Sequence, residues 1–137
     1  MAFNFCNFSI VQSIRYLFVA TILFFLVACS KKPDTGDKTA PSITIVSPQN
    51  NQHFTAGQTI TTVANANDND VVTELHIHVT NKATGVLLRD IHSYPDQPNG
   101  TVQDSFTADS AIIYTIVIIA KDPAQNVATK QVEVSSN

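Results

Sequence analysis

The strongest constraint on the fold is an alternation of apolar and polar residues that recurs in short runs from Ser42 onward. In residues 74–80, for example, Leu75, Ile77 and Val79 fall on one side and polar residues on the other. Because successive side chains of a β-strand point to opposite faces, this pattern predicts strands with one buried face. The predicted strands are residues 42–46, 58–66, 74–80, 86–94, 101–108, 112–121 and 127–134.

Turn-forming residues separate these runs at intervals of about 8–12 residues, a spacing typical of β-sandwiches. Residues 67–70 (Asn-Asp-Asn-Asp) are predicted to break the second run. Residues 95–100 contain two prolines and are predicted to be a loop, since proline is excluded from central strands. The sequence therefore predicts an all-β sandwich of seven to eight strands, with no helix after the leader.

The leader is an uncharged apolar run from Tyr16 to Ala28 that follows Arg15 and stops at Cys29. A positive flank, a short apolar run and small residues at its end are typical of a signal peptide. The run is shorter than the roughly 20 residues of a membrane-spanning helix. We therefore predict a signal peptide helix over residues 1–28, with an uncleaved anchor helix as the alternative.

The end of the leader, Leu26-Val27-Ala28-Cys29, resembles the bacterial lipobox. The resemblance implies that Cys29 is lipidated on its sulfur and becomes the new N-terminus. The polar residues 29–40 would then be a flexible tether to the membrane, so that the chain is anchored to the bilayer without spanning it. The residue after the cysteine is Ser30 and not Asp, which by the usual sorting rule favours the outer membrane in a Gram-negative cell.

Composition excludes several other functions. Without the leader the chain keeps eleven acidic and seven basic side chains, and this negative balance argues against nucleic acid as a partner. Cys6 would leave with the leader, so the exported domain has no disulfide. The sequence contains no nucleophile-elbow motif and no convincing catalytic set. We therefore do not expect an enzyme, and we expect no cofactor that the chain requires.

Two segments of the strand region resemble bacterial Ig-like domains, which are related to fibronectin type III-like modules. One is Pro41 to Pro48 (P-S-I-T-I-V-S-P), and the other is Tyr114 to Asp122 (Y-T-I-V-I-I-A-K-D) followed by Asn126. The resemblance covers residues 41–135 and implies an immunoglobulin-like β-sandwich for residues 41–137. It departs at Gln125, where the family usually has Gly. It implies little about activity, because this fold hosts many functions.

The resemblance also implies that Tyr114 is the corner tyrosine of such sandwiches, with a buried ring and a hydroxyl bonded to nearby backbone. The alternative is a strand aromatic without that bond.

A first candidate site contains histidines. His76 and His78 are two residues apart on a predicted strand, so both rings point to the same face. If this strand and the next pair about the turn at residues 81–85, His92 comes close to them, and Asp90 shares its face. Neutral imidazole is the commonest metal ligand. The sequence therefore predicts a zinc, copper or nickel site, unless these residues are only the solvated side of a half-exposed strand.

A second candidate site is acidic. Asp68 and Asp70 lie in one predicted loop, and Asp122 and Asn126 lie in another that meets it at one end of an Ig-like sandwich. Their oxygens suit calcium, as in a calcium-dependent adhesion module. The alternative is that they cap turns through backbone N–H groups. In this fold the tether emerges at the same end.

A third candidate is an apolar surface. If Tyr114, Ile116 and Ile118 point inward, then Val117 and Ile119 point outward, on the face that carries the histidines. Apolar residues on an outer face can mark a contact surface, here for an envelope protein. They can equally be ordinary exposed residues. Taken together, the sequence predicts a membrane-anchored binding or structural module of the cell envelope, with metal binding as the alternative function.

Overall fold

The computed structural model describes residues 36–137, which form eight β-strands in two sheets. The predicted signal peptide, Cys29 and the tether as far as residue 35 lie outside the described residues. No helix that could span a membrane occurs within residues 36–137.

The strands follow one another with short connections. They are β1 (Ser42–Ser47), β2 (Gln52–Phe54), β3 (Thr59–Val72), β4 (Glu74–Asn81), β5 (Leu87–Ser93), β6 (Gln97–Thr107), β7 (Ile113–Lys121) and β8 (Val127–Ser136). The smaller sheet has the order β1-β3-β6 and the larger sheet the order β2-β8-β7-β4-β5. Neighbouring strands are antiparallel except β2 and β8, which are parallel. The predicted all-β sandwich of seven to eight strands is confirmed.

The core lies between the two sheets and is built from the alternating apolar residues. Leu75, Ile77 and Val79 of β4 are fully buried, as the alternation predicts. Ile116 and Ile118 of β7 lie beside them and are also fully buried. The remaining core residues are Ile60, Ala64, Ala66, Val72, Val102, Ala108, Tyr114, Ala120, Val132 and Val134.

Tyr114 is the corner tyrosine. Its side chain is only 1% exposed, and its hydroxyl accepts a hydrogen bond from the Asp109 backbone N–H at 2.7 Å. Its ring and that of Phe106 pack edge to face, with ring centroids 5.2 Å apart. The bond to backbone five residues upstream ties the start of β7 to the loop before it.

The predicted break at residues 67–70 is wrong, because β3 continues through this segment to Val72. The pairing with β6 is regular as far as Asn67, which lies opposite Asn99, and resumes at Val72 after a register shift. Such an irregularity bends a strand without ending it. Asn67 is paired on both sides and Val72 is paired again with β6, so the strand is held at each end of the irregular segment.

The predicted loop at residues 95–100 is also too long, because β6 begins at Gln97 and includes Pro98. This strand is an edge of the smaller sheet and pairs only with β3. An edge strand tolerates proline because one of its sides needs no ladder hydrogen bonds. The exclusion of a central strand at these prolines is therefore correct. The short strand β2 was not predicted, since three residues are too few to show an alternation.

The turn between β7 and β8 has Gln125 in the left-handed region, with φ 68°. Glycine adopts this conformation without steric cost, whereas a residue with a Cβ does not. The departure from the Ig-like pattern at Gln125 therefore changes the residue but keeps the turn that a glycine would favour. The turn closes with the Asp122 carbonyl accepting the Gln125 N–H at 3.3 Å.

Candidate functional site

Five ionisable side chains converge on the outer face of β4 and β5, and we call them the histidine cluster. They are Glu74, His76, His78, Asp90 and His92. The antiparallel register places His76 directly opposite His92 and His78 directly opposite Asp90. Residues opposite each other in antiparallel strands have their side chains in contact. The structure thus brings His92 beside the two histidines of β4, as the hairpin predicts.

The centre of the cluster is His76, which is buried although it points away from the core. It is 6% exposed, and the ring of His92 lies against it with centroids 3.9 Å apart. His76 Nε2 is 2.5 Å from Glu74 Oε1, and His92 Nδ1 is 3.8 Å from the same oxygen. Despite its short contact, His76 Nε2 makes no hydrogen bond of good geometry within residues 36–137.

Asp90 contacts both His78 and His92, which are the two outer histidines of the cluster. Its Oδ1 lies 3.0 Å from His78 Nε2 and 2.9 Å from His92 Nε2. All three side chains are partly exposed. This carboxylate therefore occupies the Nε2 side of His92 and leaves the Nδ1 side facing Glu74 and His76.

Glu74 belongs to the site although we did not predict it as a ligand. It shares the face of His76 and His78, and its position two residues before His76 is the signal that could have identified it. Its Oε2 contacts Lys121 Nζ of β7 at 2.6 Å. The hydrogen bond from Lys121 lowers the pKa of Glu74, burial opposes this shift, and contact with His76 adds to it.

The acidic residues also meet, although in a different combination from the predicted one. Carboxylate oxygens of Asp37, Asp68 and Asp122 lie within 4.8 Å of one another, whereas Asp70 is exposed and outside this group. Asp68 Oδ1 accepts the Asp70 backbone N–H at 2.9 Å, and Asp122 Oδ1 accepts the Asn126 backbone N–H at 2.7 Å. Asp122 therefore caps the turn between β7 and β8, whereas Asp68 binds a backbone N–H in the irregular part of β3. Calcium binding here stays a prediction.

The acidic end adjoins the last residues of the predicted tether. Asn126 Nδ2 donates to the Asp37 carbonyl at 2.9 Å, and Asn69 Nδ2 donates to Asp37 Oδ2 at 2.7 Å. These bonds hold residue 37 against the sandwich. Asp37 was missed as a member of the acidic cluster because it lies 31 residues before Asp68 and 85 before Asp122, and no local pattern points to it.

Val117 and Ile119 lie on the outer face of β7, as predicted. Val117 pairs with His78 and Ile119 pairs with His76, so the two apolar side chains adjoin the histidine cluster. Both are half-buried. Their use as a partner surface stays a prediction.

Residues 41–134 match the family described as bacterial Ig domain. The chain belongs to the bacterial Ig domain family. A comparison with curated protein sequences gave no match.

Solved structures are similar to this Ig domain in fold. One is a superoxide reductase (neelaredoxin) from Ignicoccus hospitalis, with a TM-score of 0.53 and 10% identity over 73% of this chain and 83% of that one. Another contains the fibronectin(III)-like modules of CbhA from Clostridium thermocellum, with a TM-score of 0.51 and 16% identity over 71% of this chain and 46% of that one. At such identities the likeness shows the fold alone.

Proposed function

We propose that the chain is a lipid-anchored lipoprotein of the bacterial cell envelope, whose Ig domain serves as a binding or structural module. The observation that carries this proposal is the position of Cys29. It ends the apolar leader and lies twelve residues before the family match begins at residue 41. A lipidated cysteine at this point would leave a folded domain on a short polar tether, held at the outer membrane.

The contacts of Asp37 support this arrangement. Because Asn126 and Asn69 bind this residue, the sandwich would hang from the membrane by its acidic end. The outer face of the larger sheet would then face sideways, where a partner can reach it. The bacterial Ig family supports a binding or structural role over catalysis, since domains of this family are typically non-enzymatic modules.

The anchor is tested with a Cys29→Ser variant of the full chain, expressed in a bacterium that processes lipoproteins. A serine cannot form the thioether, so the variant is expected to lose metabolic fatty-acid label and to leave the membrane fraction. Cys6→Ser is the matched control, since Cys6 lies in the segment that processing removes. Retention of Cys29→Ser in the membrane with its label would contradict the proposal.

A partner on the outer face is expected to be an envelope protein that covers Val117 and Ile119. The test is chemical cross-linking in intact cells followed by mild detergent extraction, comparing Ile119→Lys with wild type. The control is Val46→Lys, which places the same charge at an exposed position of the smaller sheet. Loss of a cross-linked species with Ile119→Lys alone supports the surface, and identical patterns for all three proteins refute it.

The histidine cluster favours a second candidate function, metal binding at the envelope. Three imidazoles lie on one face, and imidazole is a donor that zinc, copper and nickel prefer, while the two carboxylates can complete a zinc site. This function uses residues that the anchor does not involve.

A further inference from the structure

The histidine cluster contains a buried nitrogen that contacts a carboxylate but makes no hydrogen bond of good geometry. His76 Nε2 is buried, and it has no hydrogen bond within the described part of the chain. Buried polar side-chain atoms nearly always have a partner, and an exception calls for an explanation such as an ion that completes the site. The nitrogen is directed at Glu74 Oε1, its nearest ionisable neighbour, at 2.5 Å.

The surrounding donors are spaced as ligands of a small metal ion are spaced. One atom each from Glu74, His76 and His92 lies within 4.8 Å of the others. Ligands of a tetrahedral zinc ion with bonds of about 2.0–2.1 Å are roughly 3.3 Å apart. The two distances from Glu74 Oε1, 2.5 Å to His76 Nε2 and 3.8 Å to His92 Nδ1, lie on either side of that value. Changes of less than 1 Å would therefore bring each of these two distances to the spacing of zinc ligands.

We propose that Glu74, His76 and His92 bind one transition-metal ion, zinc before copper or nickel, through Glu74 Oε1, His76 Nε2 and His92 Nδ1. Two imidazoles and one carboxylate are an established donor set for zinc that leaves a fourth position open. Imidazole nitrogen makes calcium and magnesium poor occupants, since both prefer oxygen. This inference develops the second candidate function and is independent of the lipid anchor.

Two further contacts orient these ligands. Asp90 Oδ1 is 2.9 Å from His92 Nε2, so an Nε2–H donated to Asp90 would leave the lone pair on His92 Nδ1. A carboxylate behind a metal-bound histidine is the usual arrangement in zinc sites. Lys121 holds Glu74 through Oε2, which leaves Oε1 for the ion.

A competing set consists of His76, His78 and Asp90, whose donor atoms also lie within 4.8 Å of one another. In that set Asp90 would ligate the ion, although the same oxygen already contacts both outer histidines. His78 is also partly exposed, and neither of its ring nitrogens is a buried atom without a hydrogen-bond partner. We therefore assign Asp90 and His78 to the surroundings of the ion, which changes the role predicted for them from sequence.

The test is a titration of the purified full chain in detergent with zinc chloride at about pH 7.5, followed by calorimetry and by NMR of the imidazole signals. Wild type is expected to bind one zinc ion more tightly than about 100 µM. The signals of His76 and His92 should shift, and that of His53 should not. His53 lies on β2 and contacts Ser135, far along the sheet from the cluster, so His53→Ala is the matched control.

Variants separate the two ligand sets. His92→Ala and Glu74→Gln are each expected to weaken zinc binding more than about tenfold, and Asp90→Ala about tenfold through the loss of orientation. His78→Ala should change the affinity less than threefold, within about 0.7 kcal/mol. His92 and Glu74 are partly exposed, so their variants are expected to fold, and circular dichroism checks this.

Two results would overturn the inference. One is wild type that binds no zinc below about 100 µM, in which case the cluster is a set of ion pairs. The other is loss of binding with His78→Ala but not with His92→Ala, which would assign the ion to the competing set. Neither result bears on the anchor, since Cys29→Ser is scored by membrane fractionation alone.

Discussion

The hydroxyl of Tyr114 offers the sharpest test of how this sandwich is held together. Tyr114→Phe removes one atom from a side chain that is 1% exposed and keeps the ring on Phe106. The Asp109 N–H, which donates to this hydroxyl at 2.7 Å in a part-buried position, then loses its acceptor. A net hydrogen bond contributes about 0.5–1.5 kcal/mol, and a stranded buried donor costs about 1–3 kcal/mol. We expect the free energy of unfolding to fall by about 1–2 kcal/mol, because this donor is only partly buried.

The assay is urea denaturation of wild type and variant. The slope of the free energy of unfolding against urea concentration should be unchanged, and the midpoint should be lowered. In a thermal melt, each kcal/mol lowers the midpoint of a domain of about 100 residues by roughly 4–8 °C. Tyr94→Phe is the matched control, since Tyr94 is 64% exposed. Removing its hydroxyl leaves no donor of the described residues without its acceptor. Stability of Tyr114→Phe within about 0.3 kcal/mol of wild type would refute the role assigned to the corner bond.

Three further changes follow from the backbone and the ion pairs. Gln125→Gly is expected to raise the free energy of unfolding by about 0.5–1 kcal/mol. The relief of backbone strain at φ 68° exceeds the conformational entropy that glycine adds to the unfolded chain. A decrease in the urea midpoint would contradict this. Gly100→Ala should lower it by about 1–3 kcal/mol, since the new Cβ would lie 2.5 Å from Pro95 Cγ, and an unchanged midpoint would contradict the close packing. The hydrogen bond from Arg89 lowers the pKa of Asp104 in the folded protein. The ion pair therefore stabilises the fold fully above about pH 3.9, the pKa of an Asp in the unfolded chain. This stabilisation is lost as the pH falls through the lower pKa that Asp104 has in the folded protein. In Asp104→Asn the urea midpoint should therefore fall less steeply as pH is lowered below about 4, and an unchanged pH profile would contradict the assignment.

The inner faces of the sheets could be predicted from sequence because burial and alternation are coupled. Leu75, Ile77 and Val79 are two residues apart, and only one face of a strand can hold all three. The nearness of His92 to His76 or His78 could also be predicted, whereas the histidine that lies directly opposite His92 could not. The turn between β4 and β5 is short, so it restricts the pairing of the two strands to a narrow range of registers.

The burial of His76 could not be predicted in this way. Alternation places it on the outer face, and an outer face is expected to be solvated. Its exposure falls to 6% because His92 and Glu74 cover it, and this depends on side-chain conformations across two strands. The contact of Asp37 with Asn126 could not be predicted from the sequence either, because residues so distant in sequence leave no periodic signal.

The register that assembles the histidine cluster is determined on the opposite face of the sheet. Ile77 lies opposite Ile91, and both pack on the core. A slip of β5 by one residue would turn Ile91 outward and turn Asp90 and His92 toward the core, so the core selects the register that also places His76 against His92. Assembly of the cluster then needs no attraction among its own members, in spite of the cost of burying an imidazole. It follows that truncation of His92 should leave the sandwich folded and change only what the outer face binds, so that a loss of zinc affinity in this variant would measure ligation.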